Sequence, residues 1–426
     1  MSNSSARSYY QATAIGFTPR PALKDSVHAD VCIIGAGYTG LSCALHLAGR
    51  GLKVIVLEAE HAGYGASGRN GGQVIPGQRI DQVELEKRYG NAHAHTLWSL
   101  ACEAQSMVRT LVEAHRIECG VKSGHLTAAV RKSHAIDLQN YVEHLQTHYN
   151  YKSARYVGED DIPRFVSTKL YKGGLFDEAG LHLHPLNYAL GLARAAETAG
   201  AIIFHGSRVT RVEAGATCIV HTNQGSVTAG FVVYACNGYL EDLDRDLAST
   251  IMPISNYVAA TEQLSADEAR ALIPSDAAIA DTKFVLDYYR LSEDNRLVFG
   301  GGETYGARDA DDAERFVRPC IERVFPKLAG IGIPFAWGGR LAITMPRLPH
   351  VGRRAPNVYF AQGYSGQGVA IATLCGRLIA EAIGNQAERF DVMAKLNIPR
   401  LPGGALLRQP LLQLGLMWYA LRDRLG

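Results

Sequence analysis

The order of apolar and polar positions predicts strands and helices that alternate along the chain. The apolar, β-branched run Val31–Ile34 is typical of a buried parallel strand, and small or apolar residues recur at helical spacing from Tyr38 to Ala48. A second apolar run, Lys53–Leu57, predicts the next strand. Strand, helix and strand in this order form a βαβ unit, so the pattern predicts an α/β fold with a parallel sheet.

The same reasoning assigns elements to the rest of the chain. Helical spacing extends over Asp81–Glu118, Ala135–His148, Leu186–Ala199 and about Ala310–Phe325, and strands are predicted at His125–Val130, Phe231–Cys236, Phe284–Leu291 and Arg296–Gly300. A last strand, Asn357–Ala361, is followed by a glycine turn and a helix over Val369–Ile383. Residues 1–28 show no periodicity, which predicts an arm that lies over the surface.

The segment Leu406–Leu425 is apolar on more than one face. Arg408, Gln409 and Pro410 interrupt it, and it is too short and too polar to span a bilayer. We expect a helix docked on the body of the protein, and the alternative is a peripheral contact with a membrane surface.

Composition limits the class of protein. A length of 426 residues suggests two or three domains, and a hydrophobic content of 47% is enough for a large core. The chain has 43 Lys and Arg against 41 Asp and Glu, with no basic stripe, which argues against a nucleic-acid partner. The eight cysteines form no C-x-x-C pair, and the first ten residues lack the apolar core of a signal peptide. We therefore expect reduced thiols and a cytoplasmic location.

A glycine-rich turn joins the first strand to the first helix, in the pattern Gly35-x-Gly37-x-x-Gly40. The first glycine permits a tight turn, the second lets the backbone approach a pyrophosphate, and the third lets helix and strand pack closely. Glu58 ends the second strand, close to the spacing of roughly 20 residues expected for an acid that binds an adenosine ribose. A carboxylate there disfavours a 2′-phosphate, and therefore NADP.

Two further segments are dense in glycine. Gly63–Gln73 has five glycines in eleven residues, which marks backbone that comes close to something flat or bulky. Gly363–Gly368 repeats the arrangement of strand, glycine turn and helix near the end of the chain.

Taken together, these motifs resemble the FAD-dependent amine and amino-acid oxidoreductases of the D-amino-acid oxidase type. The resemblance implies a Rossmann-like FAD-binding domain joined to a second, mostly antiparallel α+β substrate domain. The expected FAD-binding domain comprises residues 1–90, 150–250 and 336–390, and the substrate domain comprises residues 91–149 and 251–335. A C-terminal helical segment is expected over residues 391–426.

The resemblance also implies which residues meet FAD. The expected set is Gly35, Gly37, Tyr38, Thr39, Gly40, Glu58, Ala59, Ser67, Gly68, Arg69, Asn70, Gly71, Gly72, Gln73, Val209, Gly363, Ser365, Gly366, Gln367 and Gly368. Gln367 is either a polar contact of the flavin or simply part of the turn. A helix N-terminus near Val369 would stabilise the flavin edge that becomes anionic on reduction.

Two positions depart from relatives in this family. Where covalent flavoenzymes of the family have a cysteine, this chain has Ala342, so we expect FAD to be bound non-covalently. Where sarcosine-oxidase-like members have a lysine linked to oxygen activation, this chain has Val298 and Phe299. The electron acceptor is therefore open between oxygen, which is the favoured interpretation, and a quinone or carrier.

A narrower likeness concerns the substrate. Asp287–Leu291, Asn295–Leu297, Gly306–Asp309 and Leu421–Leu425 look like the bacterial enzymes that act on gamma-glutamylputrescine. This implies oxidation of a small-molecule amine to an aldehyde, with ammonia and hydrogen peroxide, in putrescine catabolism. The alternatives are an oxidase or dehydrogenase of a small amino acid or secondary amine, such as glycine or sarcosine, and a non-catalytic flavin-binding module.

Three residues are candidates for the chemistry of the site. Arg290 corresponds to an arginine that binds the substrate carboxylate in related enzymes, and the alternative is a surface ion pair with Asp287 or Glu293. Tyr288 could line a tunnel for the amine. Arg69 could provide a fixed positive charge beside the flavin, or could bind phosphate or an acidic neighbour.

Two other features suggest no additional chemistry. His182 and His184 are spaced like metal ligands on a strand, but no third ligand is near in the sequence, so no metal is expected. Trp337 could cover the flavin, although a core position is the favoured interpretation.

Overall fold

The computed structural model describes residues 8–304 and 313–402. The segments Gly306–Asp309 and Leu406–Leu425, which carried two of the sequence predictions, lie outside the described residues. Within the described part, no helix is long and apolar enough to cross a membrane.

The strands are β1 (Ser26–Ile34), β2 (Val54–Leu57), β3 (Gln73–Val74), β4 (Lys122–Ala128), β5 (Ala154–Gly158), β6 (Gly173–His182), β7 (Ile202–Phe204), β8 (Val209–Glu213), β9 (Cys218–Thr222), β10 (Ser226–Tyr234), β11 (Met252–Ala260), β12 (Ala278–Asp281), β13 (Tyr288–Leu291), β14 (Leu297–Thr304), β15 (Phe335–Ile343), β16 (His350–Ala355) and β17 (Val358–Gln362). The helices are α1 (Tyr9–Ala12), α2 (Tyr38–Ala48), α3 (Gln82–Tyr89), α4 (Asn91–Ala114), α5 (Lys132–Tyr149), α6 (Pro185–Thr198), α7 (Arg245–Ala248), α8 (Ala266–Leu272), α9 (Glu314–Val324), α10 (Gly368–Ile383) and α11 (Glu388–Ala394).

The first sheet is mainly parallel and contains the predicted βαβ unit. Its strand order is β16-β17-β10-β1-β2-β7, with β8 and β9 attached through β10, and the strands from β17 to β7 run parallel. The buried ends of β1 and β2 are apolar on both faces, because α2, α6 and α10 cover one face and β8–β9 with neighbouring loops covers the other. This confirms the predicted α/β fold with a Rossmann-like sheet.

The second sheet is mostly antiparallel. Its strand order is β15-β11-β14-β13-β12-β4-β6-β3, with β5 paired to β6, and β4–β12 is the parallel pair in it. The predicted α+β character of the second layer is confirmed. Residues 154–182 supply β5 and β6 to this sheet. We therefore propose that the substrate domain also includes this stretch.

Two predicted elements are shorter in the structure. The helix expected over Asp81–Glu118 is divided at Gly90, whose φ of +79° permits the break between α3 and α4. The strand expected from Phe284 is formed only from Tyr288 onward. Phe284 and Leu286, which precede it, line a cavity.

The arm at the start of the described chain lies largely on the surface, as predicted, with Ile15 and Phe17 exposed, but its first residues are anchored in the core. Ser8 and Gln11 form a capping box at α1, and the Tyr9 and Tyr10 side chains are 4% and 0% exposed. The Tyr10 ring packs edge-on against Trp337, with centroids 5.1 Å apart. Trp337 is itself buried, as expected for a core residue, and its Nε1 donates to the Arg69 carbonyl at 3.0 Å.

Candidate active site

A cavity of about 630 Å³ lies between the two sheets, at the carboxyl ends of β1, β2 and β10. This edge of a parallel sheet is where nucleotide cofactors bind in α/β folds. The structure brings most of the predicted residues to this one cavity: Gly35, Gly37, Tyr38, Thr39, Glu58, Ala59, Ser67, Arg69, Asn70, Gly71, Gln73, Val209, Tyr288, Ser365, Gly366, Gln367 and Gly368.

Four predicted glycines, Gly40, Gly68, Gly72 and Gly363, do not line the cavity. A Cβ on the first three would overlap a backbone carbonyl, that of Gly35, Gly63 and Leu183 respectively, and a Cβ on Gly363 would meet the Thr344 methyl group. These glycines therefore let the backbone segments behind the cavity wall pack closely.

The dinucleotide turn presents backbone groups to the cavity. Helix α2 begins after Gly37, which has no side chain to cap the helix, and Gly37, Tyr38 and Thr39 line the cavity. The Ser67 hydroxyl accepts a hydrogen bond from the Tyr38 N–H at 3.1 Å. A helix N-terminus carries a partial positive charge, so this end of the cavity suits a pyrophosphate.

Glu58 closes the same end of the cavity. Its carboxylate accepts hydrogen bonds from the Ala36 N–H at 2.8 Å and from the Glu60 N–H at 3.0 Å. Burial raises the pKa of Glu58, and the backbone donors counteract this only in part. Hydroxyl groups of a ribose would be suitable further donors to this carboxylate.

The segment Gly63–Gln73 is held rigid by its own side chains and by β15. Asn70 donates to the Ala66 and Ser67 carbonyls at 2.9 and 3.1 Å and accepts from the Gly72 N–H at 2.7 Å. Arg69 donates to the Tyr64 carbonyl at 2.8 Å and to the Gly338 carbonyl at 3.1 Å. The acidic neighbour considered for Arg69 is not found among the described residues, and the guanidinium ties this segment to the second sheet.

The second glycine turn lies at the other end of the cavity. Ser365 has φ of +52° and Gly366 has φ of +99°, and the Ser365 N–H donates to the Ala342 carbonyl at 3.1 Å. Helix α10 begins immediately afterwards at Gly368. The cavity therefore has a helix N-terminus at each of two places, as an extended dinucleotide with an anionic ring edge requires, so the residues present fit FAD. Ala342 provides no side-chain nucleophile for a covalent flavin bond.

Side chains of the second sheet form the opposite wall. His125 and Thr127 come from β4, Ala280 from β12, Tyr288 from β13 and Asn256 from β11. The Tyr288 hydroxyl donates to Asn256 Oδ1, and the ring lies against Gly71 and Gly300, where a Cβ would overlap it. Tyr288 thus lies at the junction of the two walls.

His125 is a functional candidate that sequence reasoning missed. Gln73 donates its amide N–H to the Ile279 carbonyl at 3.0 Å, so its Oε1 must accept from His125 Nε2, which lies 3.2 Å away. This leaves Nδ1 as the unprotonated ring nitrogen, and His125 lines the cavity although the residue is only 2% exposed. Burial lowers the pKa of His125 to about 4, so the ring is neutral near pH 7. The available sequence signal was the alternation of His125 with apolar Leu126 along β4, which places the two side chains on opposite faces of the strand.

Arg290 is 4% exposed and does not line the cavity. Its Nε donates to the Gly71 carbonyl at 2.8 Å, Nη1 donates to the Leu291 carbonyl at 3.2 Å and Nη2 donates to the Tyr10 hydroxyl at 3.3 Å. The guanidinium therefore lies behind Gly71. This position lends no support to the predicted contact with a substrate carboxylate, and the alternative surface ion pair is not present either.

The two histidines with ligand-like spacing have structural partners. His182 Nε2 is 2.9 Å from the Asp276 carbonyl, and His184 Nδ1 accepts from the Asn187 N–H at 3.1 Å as the N-cap of α6. Burial lowers the pKa of each to about 3. Among the described residues, no group of three His, Cys, Asp or Glu side chains could hold a metal ion.

A parallel dinucleotide-binding sheet, joined to an antiparallel sheet across a glycine-lined cavity, fits a flavin-dependent oxidoreductase. Its relatives identify it as one that acts on amines. The chain belongs to the DAO family of FAD dependent oxidoreductases, whose model matches residues 30–382.

Relatives of known name support this assignment along the whole chain. The sequence is 43% identical over 420 residues to gamma-glutamylputrescine oxidoreductase of Escherichia coli (strain K12), covering 98% of both chains. It is 38% identical over 418 residues to the probable oxidoreductase OrdL of Rhizobium meliloti, covering 98% of this chain and 97% of the relative. Glycine oxidase from Geobacillus kaustophilus shares the fold, with a TM-score of 0.73 and 20% identity over 88% of this chain and 100% of that one.

Proposed function

We propose that the protein catalyses the oxidative deamination of gamma-glutamylputrescine, or a similar primary amine, in putrescine breakdown. The observation that carries this proposal is the cavity of about 630 Å³ in which a glycine-rich flavin cradle faces a wall of side chains from the second sheet. The 43% identity to gamma-glutamylputrescine oxidoreductase over nearly the whole of both chains supports this substrate over other amines.

The chain's residues would bind and orient the reactants. Gly37–Thr39 would hold the pyrophosphate, Glu58 the ribose, and Gly366–Gly368 the pyrimidine edge of the ring. Bound FAD would supply the chemistry by accepting a hydride from the carbon that bears the amine. His125 Nδ1 could accept a hydrogen bond from the substrate amino group, which would orient the adjacent C–H bond.

The products follow from the chemistry of amines. The oxidised substrate is an imine, which water hydrolyses to the aldehyde and ammonia. We propose oxygen as the acceptor, with hydrogen peroxide as the product, and a quinone or another carrier is the alternative.

The test is anaerobic mixing of purified holoenzyme with gamma-glutamylputrescine, putrescine, sarcosine and glycine in turn, while the oxidised-flavin absorbance is followed. We expect rapid bleaching by the glutamylated amine and much slower bleaching by the others. Bleaching mainly by sarcosine or glycine would mean that one of these compounds, and not gamma-glutamylputrescine, is the substrate. Bound FAD that no amine bleaches would indicate a non-catalytic flavin-binding module. Reoxidation in air with hydrogen peroxide formation tests the acceptor.

A further inference from the structure

One arginine in the cavity differs from the others in what its side chain contacts. The guanidinium groups that line the cavity, among the described residues, are those of Arg69, Arg79, Arg208, Arg340 and Arg347. Arg69 donates to backbone carbonyls, Arg208 and Arg340 pair with Glu241, and Arg79 also has an interaction partner. Arg347 has no carboxylate within ion-pair distance in residues 8–304 and 313–402.

The contact that Arg347 makes is with an aromatic ring. Its Cζ lies 4.9 Å from the centroid of Phe284, which also lines the cavity. A cation stacked on an aromatic face is oriented without its N–H donors being used. The planar edge of the guanidinium therefore keeps its hydrogen-bonding capacity.

The backbone that carries Arg347 is constrained. Arg347 has φ of +61°, a left-handed conformation that is uncommon for a residue with a Cβ. The turn is closed by the Arg347 N–H, which donates to the Thr344 carbonyl at 3.1 Å, and by the Thr344 hydroxyl, which donates to the Leu348 carbonyl at 2.6 Å. Such strain persists only where neighbouring contacts impose it, and it is concentrated at sites that bind ligands.

The same turn is linked to the flavin cradle. The Thr344 N–H donates to the Ser365 hydroxyl at 3.3 Å, and Ser365 belongs to the second glycine turn. Arg347 therefore has a fixed position relative to the cradle, while its side chain lies on Phe284 of the substrate wall.

We propose that Arg347 is the anion-binding residue of the substrate site, and that it binds the carboxylate at the end of the substrate remote from the oxidised amine. This inference rests on the proposed function and names the part of the substrate that the residue selects. A guanidinium binds a carboxylate through two parallel N–H donors, so its fork fits the glutamyl end of gamma-glutamylputrescine. Arg290, which the sequence suggested for this role, does not line the cavity and donates to the Gly71 and Leu291 carbonyls and to the Tyr10 hydroxyl.

The experiment removes the guanidinium from the protein and the carboxylate from the substrate, separately and together. The variants are Arg347→Met, Arg347→Lys and Arg347→Gly, and glycine suits the left-handed backbone, so that variant removes the side chain without strain. Arg354→Met is the matched control, because this arginine does not line the cavity and pairs with Asp244 on the surface. The substrates are gamma-glutamylputrescine and its neutral α-carboxamide, measured by anaerobic flavin bleaching at several concentrations.

We expect the apparent dissociation constant of gamma-glutamylputrescine to rise about 10- to 100-fold in the Met and Gly variants, the range for a hydrogen bond to a charged group. The limiting bleaching rate, the FAD content and the dissociation constant of the α-carboxamide should change little in these variants. In Arg347→Lys, the dissociation constant of gamma-glutamylputrescine should lie between those of the wild type and the Met variant. The two removals would then be strongly non-additive.

If the Arg347 variants bind both substrates equally more weakly, or bind neither more weakly, the proposal is overturned. Bleaching of the wild-type enzyme by gamma-glutamylputrescine would still leave the proposed function intact. Loss of FAD or a changed flavin spectrum without substrate would assign Arg347 to the cofactor, and this also overturns the proposal. If the wild-type enzyme is bleached by neither glutamylated amine, the proposed function and this inference fail together.

Discussion

The two sides of the cavity present different kinds of chemical group. The cradle presents backbone amides, helix N-termini and one carboxylate, and its main segments are Gly35–Thr39, Ser67–Gln73 and Ser365–Gly368. The opposite wall uses side chains from four strands that are distant in sequence, such as His125 and Tyr288. Recognition by backbone constrains local sequence spacing, whereas recognition by side chains depends on how distant strands meet.

The largest effect should follow from a Cβ in the cradle. Gly40→Ala would overlap the Gly35 carbonyl and crowd the Ile33 side chain at 3.2 Å. Overpacking costs about 1 to 3 kcal/mol even where side chains move aside, and a backbone carbonyl in a tight turn has less freedom. We expect purified protein with almost no FAD, measured as the ratio of flavin to protein absorbance. Gly158→Ala, which meets no atom within 4 Å, is the control, and normal FAD content in Gly40→Ala would contradict the close-packing argument.

A smaller effect on the cradle is expected from Glu58→Gln. The amide cannot accept from two backbone N–H groups and a ribose as well as a carboxylate does, so the dissociation constant of FAD should rise about tenfold or more. Burial raises the pKa of Glu58, so in the apoprotein this carboxylate takes up a proton at a higher pH than an exposed glutamate does. Because bound FAD would favour the ionised form of Glu58, the affinity of the wild-type apoprotein for FAD should fall as the pH is lowered. The Glu58→Gln variant should lack this pH dependence. Fluorescence titration of the apoprotein with FAD at several pH values measures the dissociation constant and its pH dependence. The same pH dependence in the wild type and the variant would exclude Glu58 as the ribose ligand.

The other wall is tested by His125→Gln. We expect flavin bleaching by the amine to slow about tenfold, with FAD content unchanged, because Nδ1 is lost as an acceptor. The pKa of about 4 means that the wild-type ring stays neutral near pH 7, so no histidine ionisation should appear in the neutral range of the bleaching profile. His182→Gln is the matched control, since His182 is buried on the neighbouring β6 but does not line the cavity. If flavin bleaching slows equally in both variants, the effect comes from loss of a buried ring and not from loss of the Nδ1 acceptor of His125.

The smallest effect should come from Tyr10→Phe. The ring keeps its packing on Trp337, but the hydroxyl that accepts from Arg290 is lost, so unfolding should become easier by about 1 kcal/mol. Urea unfolding measures this. Any change in substrate affinity should be the same for the acid and the α-carboxamide, and a selective loss of the acid would instead return a carboxylate-binding role to Arg290.

The cradle could be predicted because its chemistry is local. The spacing of Gly35, Gly37 and Gly40 and the position of Glu58 require only that a strand, a turn and a helix follow one another. The wall could not be predicted in the same way. Arg290 donates to Gly71 and to Tyr10, which are both far from it in the sequence. Whether the donors of Arg347 stay available depends on which arginines form ion pairs with carboxylates in the folded chain. Pairing across the fold, which a local sequence pattern does not show, decides which arginine faces the cavity.

The buried tyrosines of α1 have a consequence for the order of folding. The Tyr9 hydroxyl donates to Asp294 across 285 positions, and the Arg290 contact of Tyr10 spans 280. During synthesis, these tyrosines leave the ribosome long before the β13–β14 hairpin exists, so their binding pocket is absent for most of translation. Closing so long a loop carries a large entropic penalty until the intervening sheets have formed. We therefore expect the support beneath Gly71 to be completed late, which makes the maturation of the flavin site sensitive to anything that delays the docking of Tyr9 and Tyr10.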